Sequence, residues 1–184
     1  MVDKSLKDWD LIKEELGPDL PLFTARFQHM QNPRNGKSLK AIVLEVPDTI
    51  NVICVTKESE IILVEQYRFG IGKLLKELPA GLLEDGEMPL EAAKRELREE
   101  TGYISDDWTF LGKSFINPAY VTNACYHFLA IESSYEGGIL PDETEDLKVH
   151  RVKIKAVSDL SNMQILEDAI GKAAFCALDQ YLRS

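Results

Sequence analysis

Only three cysteines, Cys54, Cys125 and Cys176, occur in 184 residues. They form neither a C-x-x-C pair nor a cluster with His29, His127 or His150, which excludes a disulfide framework and argues against a zinc site. Long apolar runs are missing too. Even the most apolar stretches, such as residues 50–55 with Asn51 among them, fall far short of the roughly 20 residues that cross a bilayer, and the opening MVDKSLKDWD carries charge where a leader would need an apolar core. A cytoplasmic protein with no membrane partner is expected. Positive charge is also scarce: 21 Lys and Arg stand against 31 Asp and Glu, for a net charge of -10, and no basic cluster stands out along the chain. A nucleic-acid backbone needs many neutralising cations, so the composition argues against a nucleic-acid partner. An acidic surplus suits divalent metals better.

Apolar residues make up 45% of the chain, enough to bury one substantial core in a length too short for two full domains. One domain is expected overall, with an arm of helix and strand over residues 1–36 and the main body over 37–184. Residues 5–16 carry Leu6, Trp9 and Ile12 or Leu16 at helical spacing, and Gly17-Pro18 ends that pattern. Residues 21–31 alternate in strand fashion, and Asn35-Gly36 predicts a hairpin after them. Val- and Ile-rich stretches at 39–46, 51–56 and 61–66 read as strands, as do 108–115, 124–131 and 147–155. The period turns helical over 88–101, where Leu90, Ala93, Leu97 and Thr101 form a stripe that should pack on the sheet, and again over 165–181. Between two of the strands, 132–146 reads as a long acidic loop; loops beyond about 12 residues in a compact domain are more often functional than decorative. Gly70-Ile71-Gly72 lacks the following helix of a nucleotide fingerprint and reads as a loop. The three histidines are unpaired in sequence and read as structural.

Seven residues stand in one register. Gly81, Glu87, Arg95, Glu96, Glu99, Glu100 and Gly102 are spaced G-x5-E-x7-R-E-U-x-E-E-x-G-U, with Leu97 and Tyr103 at the apolar positions U. Such a coincidence arises on the order of once in 10^5 sequences of this size or more rarely. On the 88–101 helix, Glu96, Glu99 and Glu100 are related by i, i+3 and i+4 and project from one face, beside the apolar stripe. Like charges so packed need a compensating cation. Oxygen-only ligands favour Mg2+ or Mn2+, and Mg2+ characteristically shares its sphere with substrate phosphates, which implies a pyrophosphate substrate. The ordinary reading of a Glu/Arg-rich helix is a solvated face with Glu91, Arg95 and Glu99 in i, i+4 pairs; the fixed glycines and Glu87 count against it here. Gly81 reads as a sharp turn after Leu78-Pro79-Ala80, and Gly102 as a helix end with positive φ.

This spacing is the Nudix box, and the chain resembles the Nudix hydrolases. Val64-Glu65-Gln66-Tyr67-Arg68, Glu77-Leu78-Pro79-Ala80-Gly81, Pro118 and Asp142-Glu143-Thr144-Glu145-Asp146 are similar to the ADP-ribose pyrophosphatase branch, so the likeness runs from about residue 21 to the C-terminus. It implies an α/β fold, an α/β/α sandwich around a mixed sheet with an N-terminal antiparallel strand region. It also implies a homodimer, with residues 1–36 in the interface. By position, Glu96, Glu99 and Glu100 with the Ala80 carbonyl would bind up to three Mg2+ ions, Glu99 counting with the catalytic groups. Glu87 and Arg95 would brace the box, and Arg68 would contact phosphate, as a guanidinium suits; its plain alternative is a surface arginine at a strand end. Because the helix carboxylates serve as ligands, the base should come from elsewhere. The resemblance places it in the acidic loop at Glu143, with Glu145 in reserve, against the plain alternative of a solvated loop.

The implied reaction is cleavage of a nucleoside diphosphate sugar to a nucleoside monophosphate and a sugar phosphate. After Pro118 the chain departs from the commonest pattern, reading Ala119-Tyr120-Val121-Thr122-Asn123-Ala124. Tyr120 could stack on a base or sugar, or pack on the sheet, so GDP-mannose and UDP-sugars compete with the favoured ADP-ribose. Two other readings stand beside this one: hydrolysis of a nucleoside triphosphate, dinucleoside polyphosphate or RNA 5' end, and a nucleotide-sugar binding module without turnover.

Overall fold

The computed structural model describes residues 7–139, 146–162 and 164–184. Strands β1 (Asp10–Leu20), β2 (Phe23–Gln31), β3 (Ser38–Glu45), β4 (Thr49–Thr56), β5 (Glu60–Arg68), β6 (Lys73–Glu77) and β7 (Ala80–Leu82) precede helix α1 (Pro89–Thr101). Strands β8 (Tyr103–Ile104), β9 (Asp107–Phe115), β10 (Ala124–Tyr135) and β11 (Leu147–Lys153) follow, then a 3-10 turn at Val157–Asn162 and helix α2 (Ala169–Arg183). Two compact units form, one from residues 1–47 with 115–123, the other from 48–114 with 124–184.

The first unit is the antiparallel sheet β1-β2-β3. Residues 10–20 are strand, which corrects the helix expected over 5–16. Ile12 and Leu16, two of the residues behind that expectation, stand four apart and imitate a helical face. That spacing instead reflects two register shifts, between Leu11 and Lys13 and between Leu16 and Asp19, because a bulge breaks the period of two by which a strand is recognised. Gly17-Pro18 lies inside the second irregularity and ends nothing. The Asn35-Gly36 hairpin forms, but as a six-residue connection from Gln31 to Ser38, with Gly36 alone at positive φ. Asn32 organises it by accepting the Asn35 and Gly36 N–H groups on its carbonyl.

In the second unit, the sheet runs β11-β5-β4-β10-β8, with β6 on β5, β7 on β4 and β9 on β10. β4 and β10 are parallel, while β4–β5 and β5–β11 are antiparallel, so the sheet is mixed. Side chains alternate across β4: Ile53 and Val55 join Ala174, Phe175 and Leu178 of α2 in one cluster, and Ile50, Val52 and Cys54 join Ala92, Ala93 and Leu97 of α1 in the other. A helix covers each face, as the α/β/α expectation requires. Burial on both faces explains why β4 reads as a nearly continuous apolar run, interrupted at Asn51.

α1 opens with Pro89 and closes on Gly102 at φ 72, whose N–H bonds Arg98 O at 2.8 Å. α2 starts at Ala169, later than the expected 165, because Asp168 caps it by accepting the Gly171 N–H. β10 continues to Tyr135 past a bulge where Glu132 takes φ 53, so residues 132–135 of the expected acidic loop are strand. No helix among the described residues is long and apolar enough to cross a membrane.

Candidate active site

The apolar stripe of α1 sets the orientation of its charged face. With Ala93, Leu97 and Thr101 buried against the sheet, Glu96 and Glu100 lie at the boundary of the core and Glu99 lies further out. Side-chain exposure follows that order, 15% for Glu96 and 40% for Glu99, while Glu100 as a residue is 2% exposed. A carboxylate so buried needs hydrogen-bond donors, and Ala80 N–H donates to Glu100 Oε2 at 3.0 Å. Helix and β7 are thereby joined at the residue whose carbonyl is expected to serve the metal.

Gly81 has a role that local turn chemistry does not reveal. It lies in β7, paired with Ile50 of β4, and has no positive φ. A Cβ at this position would overlap the Glu96 side chain, so glycine lets the carboxylate approach the backbone of β7.

Arg95 knits the box together with all five of its N–H donors. Nε and Nη2 each reach Glu87 at 3.0 Å, to Oε1 and Oε2. Nη2 also bonds Leu82 O at 3.1 Å, and Nη1 bonds Glu96 Oε1 at 2.8 Å and Glu99 Oε2 at 3.2 Å. Glu87 in turn accepts the Glu84 N–H at 3.0 Å. The Arg95 fork holds the Glu87 carboxyl below the ordinary carboxylate range, and Glu87 first, then Glu96 and Glu99, hold the Arg95 guanidinium above its own.

The donor chemistry fits a hard divalent cation: carboxylate oxygens on one face of α1, with the β7 backbone close beside Glu100 and Glu96. As they stand, no three such side chains among the described residues converge on one point. Glu96 and Glu99 each turn an oxygen to Arg95, and Glu100 turns one to Ala80.

Arg68 ends β5 and pairs with Glu77 of β6, Nε at 2.8 Å and Nη2 at 2.7 Å from the same oxygen. Burial pushes the Glu77 carboxyl up, against the opposing pull of Arg68. This pairing joins two motifs that stand apart in the sequence. Its signal is there, since Glu77 stands in Glu77-Leu78-Pro79-Ala80-Gly81, but it becomes visible only once the β5–β6 register places Arg68 opposite Lys73 and Glu77 back along the hairpin. Pro118 and Tyr120 belong to the first unit, where Tyr120 O accepts the Leu44 N–H at 2.7 Å and the Tyr120 ring is exposed. Glu143 and Glu145 lie outside the described residues.

The histidines at 127 and 150 have protein partners. His127 is buried between Asn51 Oδ1 at 2.8 Å and Ser114 Oγ at 3.0 Å, and His150 bonds Glu65 at 2.9 Å. The cysteines are free thiols. Burial pushes Cys54 up to about 12 and Cys125 to about 11, which keeps both protonated and unreactive.

The NUDIX domain model matches residues 46–174. The ADP-ribose pyrophosphatase of Bacillus subtilis (strain 168) is 33% identical over 183 residues, 98% of this chain and 95% of that protein. The ADP compounds hydrolase NudE of Escherichia coli (strain K12) is 28% identical over 126 residues, 68% of this chain and 67% of its own. A crystal structure of an ADP compounds hydrolase superposes with a TM-score of 0.83 at 25% identity, covering 98% of this chain and 97% of that one.

Proposed function

The chain belongs to the NUDIX domain family, and from that footing we propose that it hydrolyses the pyrophosphate bond of a nucleoside diphosphate sugar, ADP-ribose before others. The products are a nucleoside monophosphate and a sugar phosphate. One observation carries the reading: Glu100 accepts the Ala80 N–H and Glu96 packs on Gly81, while Arg95, itself held by Glu87, bonds Glu96 and Glu99 on the same helix. The relatives above are named for ADP-ribose or ADP compounds, which favours an ADP moiety over the GDP or UDP moieties that Tyr120 leaves open.

Glu96, Glu99 and Glu100 with the Ala80 carbonyl would hold the divalent cation, Mg2+ or Mn2+. When bound, it supplies neutralisation of developing charge and acidification of water. Arg68 offers its guanidinium to a phosphate, and Glu77 holds it by two N–H bonds to one oxygen, leaving the Nη1 edge for the substrate. The proton of the attacking water passes to Glu143, with Glu145 in reserve.

A Mg2+-containing hydrolysis panel of ADP-ribose, GDP-mannose, UDP-glucose and ATP in 18O water tests the reading. ADP-ribose should turn over fastest, with label in one of the two monophosphate products. Faster ATP hydrolysis would move the substrate class, and binding without product would make the chain a sensor.

The homodimer through residues 1–36 is part of the same proposal. Leu11, Ile12, Leu16 and Leu22, large apolar side chains all exposed in the first unit, support it, because burying them against a second copy would remove apolar surface from water. Light scattering should give twice the 20.8 kDa chain mass. The free cysteines support a reducing cytoplasm.

A further inference from the structure

Arg95 contributes more than bracing. Three of its five N–H bonds, two to Glu87 and one to Leu82 O, fasten the guanidinium to the 82–87 segment. These do not involve Glu96 or Glu99. The two remaining bonds leave from the single atom Nη1 to Glu96 Oε1 and Glu99 Oε2. A fixed cationic edge therefore already serves two of the three carboxylates assigned to the metal.

We propose that Arg95 is an internal counter-cation that lowers the affinity of Glu96 and Glu99 for divalent ions. The inference rests on the metal reading of the preceding section. Any ion shared by these carboxylates competes with Nη1 for the same negative charge, and it approaches a positive group that Glu87 and Leu82 prevent from withdrawing. Two paired carboxylates attract a strongly hydrated ion less than two unpaired ones, since Mg2+ gives up its water reluctantly. Firm binding then depends on the added negative charge of the substrate pyrophosphate. An arginine that only oriented the ligands would act in the opposite sense, and its loss would weaken ion binding.

The sign of the effect on binding of the ion alone decides between these roles. Mn2+ titrated into the full chain, without nucleotide, is followed by calorimetry and by loss of the free-ion paramagnetic resonance signal. Arg95→Gln should tighten the Mn2+ dissociation constant about tenfold, the equivalent of two partly exposed ion pairs, while lowering the melting temperature measured in chelator. Arg95→Lys, which keeps the charge but cannot make all five bonds, should tighten it about two- to threefold. Arg98→Gln removes a cation from the last turn of the same helix and should change it less than Arg95→Gln does, separating local pairing from general charge. Unchanged or weaker binding in folded Arg95→Gln overturns the inference and leaves the hydrolase reading intact. If that variant does not fold, unchanged or weaker binding in Arg95→Lys overturns it instead. No Mn2+ binding by either the wild-type chain or folded Arg95→Gln overturns the metal reading, and the inference with it.

Discussion

Gly81 and Glu96 occupy one space: the hydrogen of the glycine lies where any larger side chain would overlap the Glu96 carboxylate. The contact couples β7 to α1 at the point where the carboxylates meet the backbone. Gly81→Ala should therefore push Glu96 out of place, cutting kcat at least about tenfold, and should destabilise the fold by about 1–3 kcal/mol as an overpacked contact. Thermal unfolding and steady-state kinetics measure the two effects. Wild-type kcat in the alanine variant would show that the close approach is dispensable.

Glu99→Gln should lower kcat by orders of magnitude while leaving circular dichroism and melting temperature near wild type, because Glu99 is the outermost of the three carboxylates and carries little packing. Glu100→Gln should lower kcat as far, with a larger stability loss, since the Glu100 carboxylate is buried and accepts the Ala80 N–H. Full activity in either folded variant would refute the metal assignment.

Glu143→Gln should remove more kcat than Glu145→Gln, with KM little changed in both. Equal and small losses would move the base to another segment.

Burial holds the His127 imidazole below its ordinary 6.5. The unfolded chain therefore binds a proton near pH 6.5 that the folded chain refuses until lower pH. The stability from neutral His127 is complete above about 6.5 and is lost as pH falls towards the folded value. Nuclear magnetic resonance titration should place the His127 midpoint below 6.5, and His127→Asn should flatten the fall of melting temperature as pH drops below about 6.5. A His127 resonance titrating at or above about 6.5 would contradict the buried pairing with Asn51 and Ser114.

Where signals are local and periodic, they are legible. α1 announces itself through Leu90, Ala93 and Leu97, its end through Gly102, and its chemistry through carboxylates one turn apart. Signals fail where pairing partners lie far along the chain. The apolar spacing of Leu6, Trp9 and Ile12 or Leu16 favours a helix, yet β1 is held by bonds to β2 whose bulges no local rule reports. β6 and β7 are short and lack alternation, since their form comes from pairing with β5 and β4. Gly81 reads as a turn in the sequence because only the packing of α1 against β7 reveals that Glu96 fills the space beside it.

The linear order of residues was enough to establish the family pattern, the reaction class and the grouping of three carboxylates, because helical geometry converts i, i+3 and i+4 into one face without help from the rest of the chain. Tertiary structure alone decided which oxygen each donor meets. Arg95 lies eight residues from Glu87 and Arg68 nine from Glu77, separations over which sequence specifies no distance. Only the packing of β7 on β4 and of α1 on the sheet brings Arg95 to Glu87, and only the β5–β6 pairing brings Arg68 to Glu77. With those contacts comes the pairing of charge around Glu96, Glu99 and Glu77.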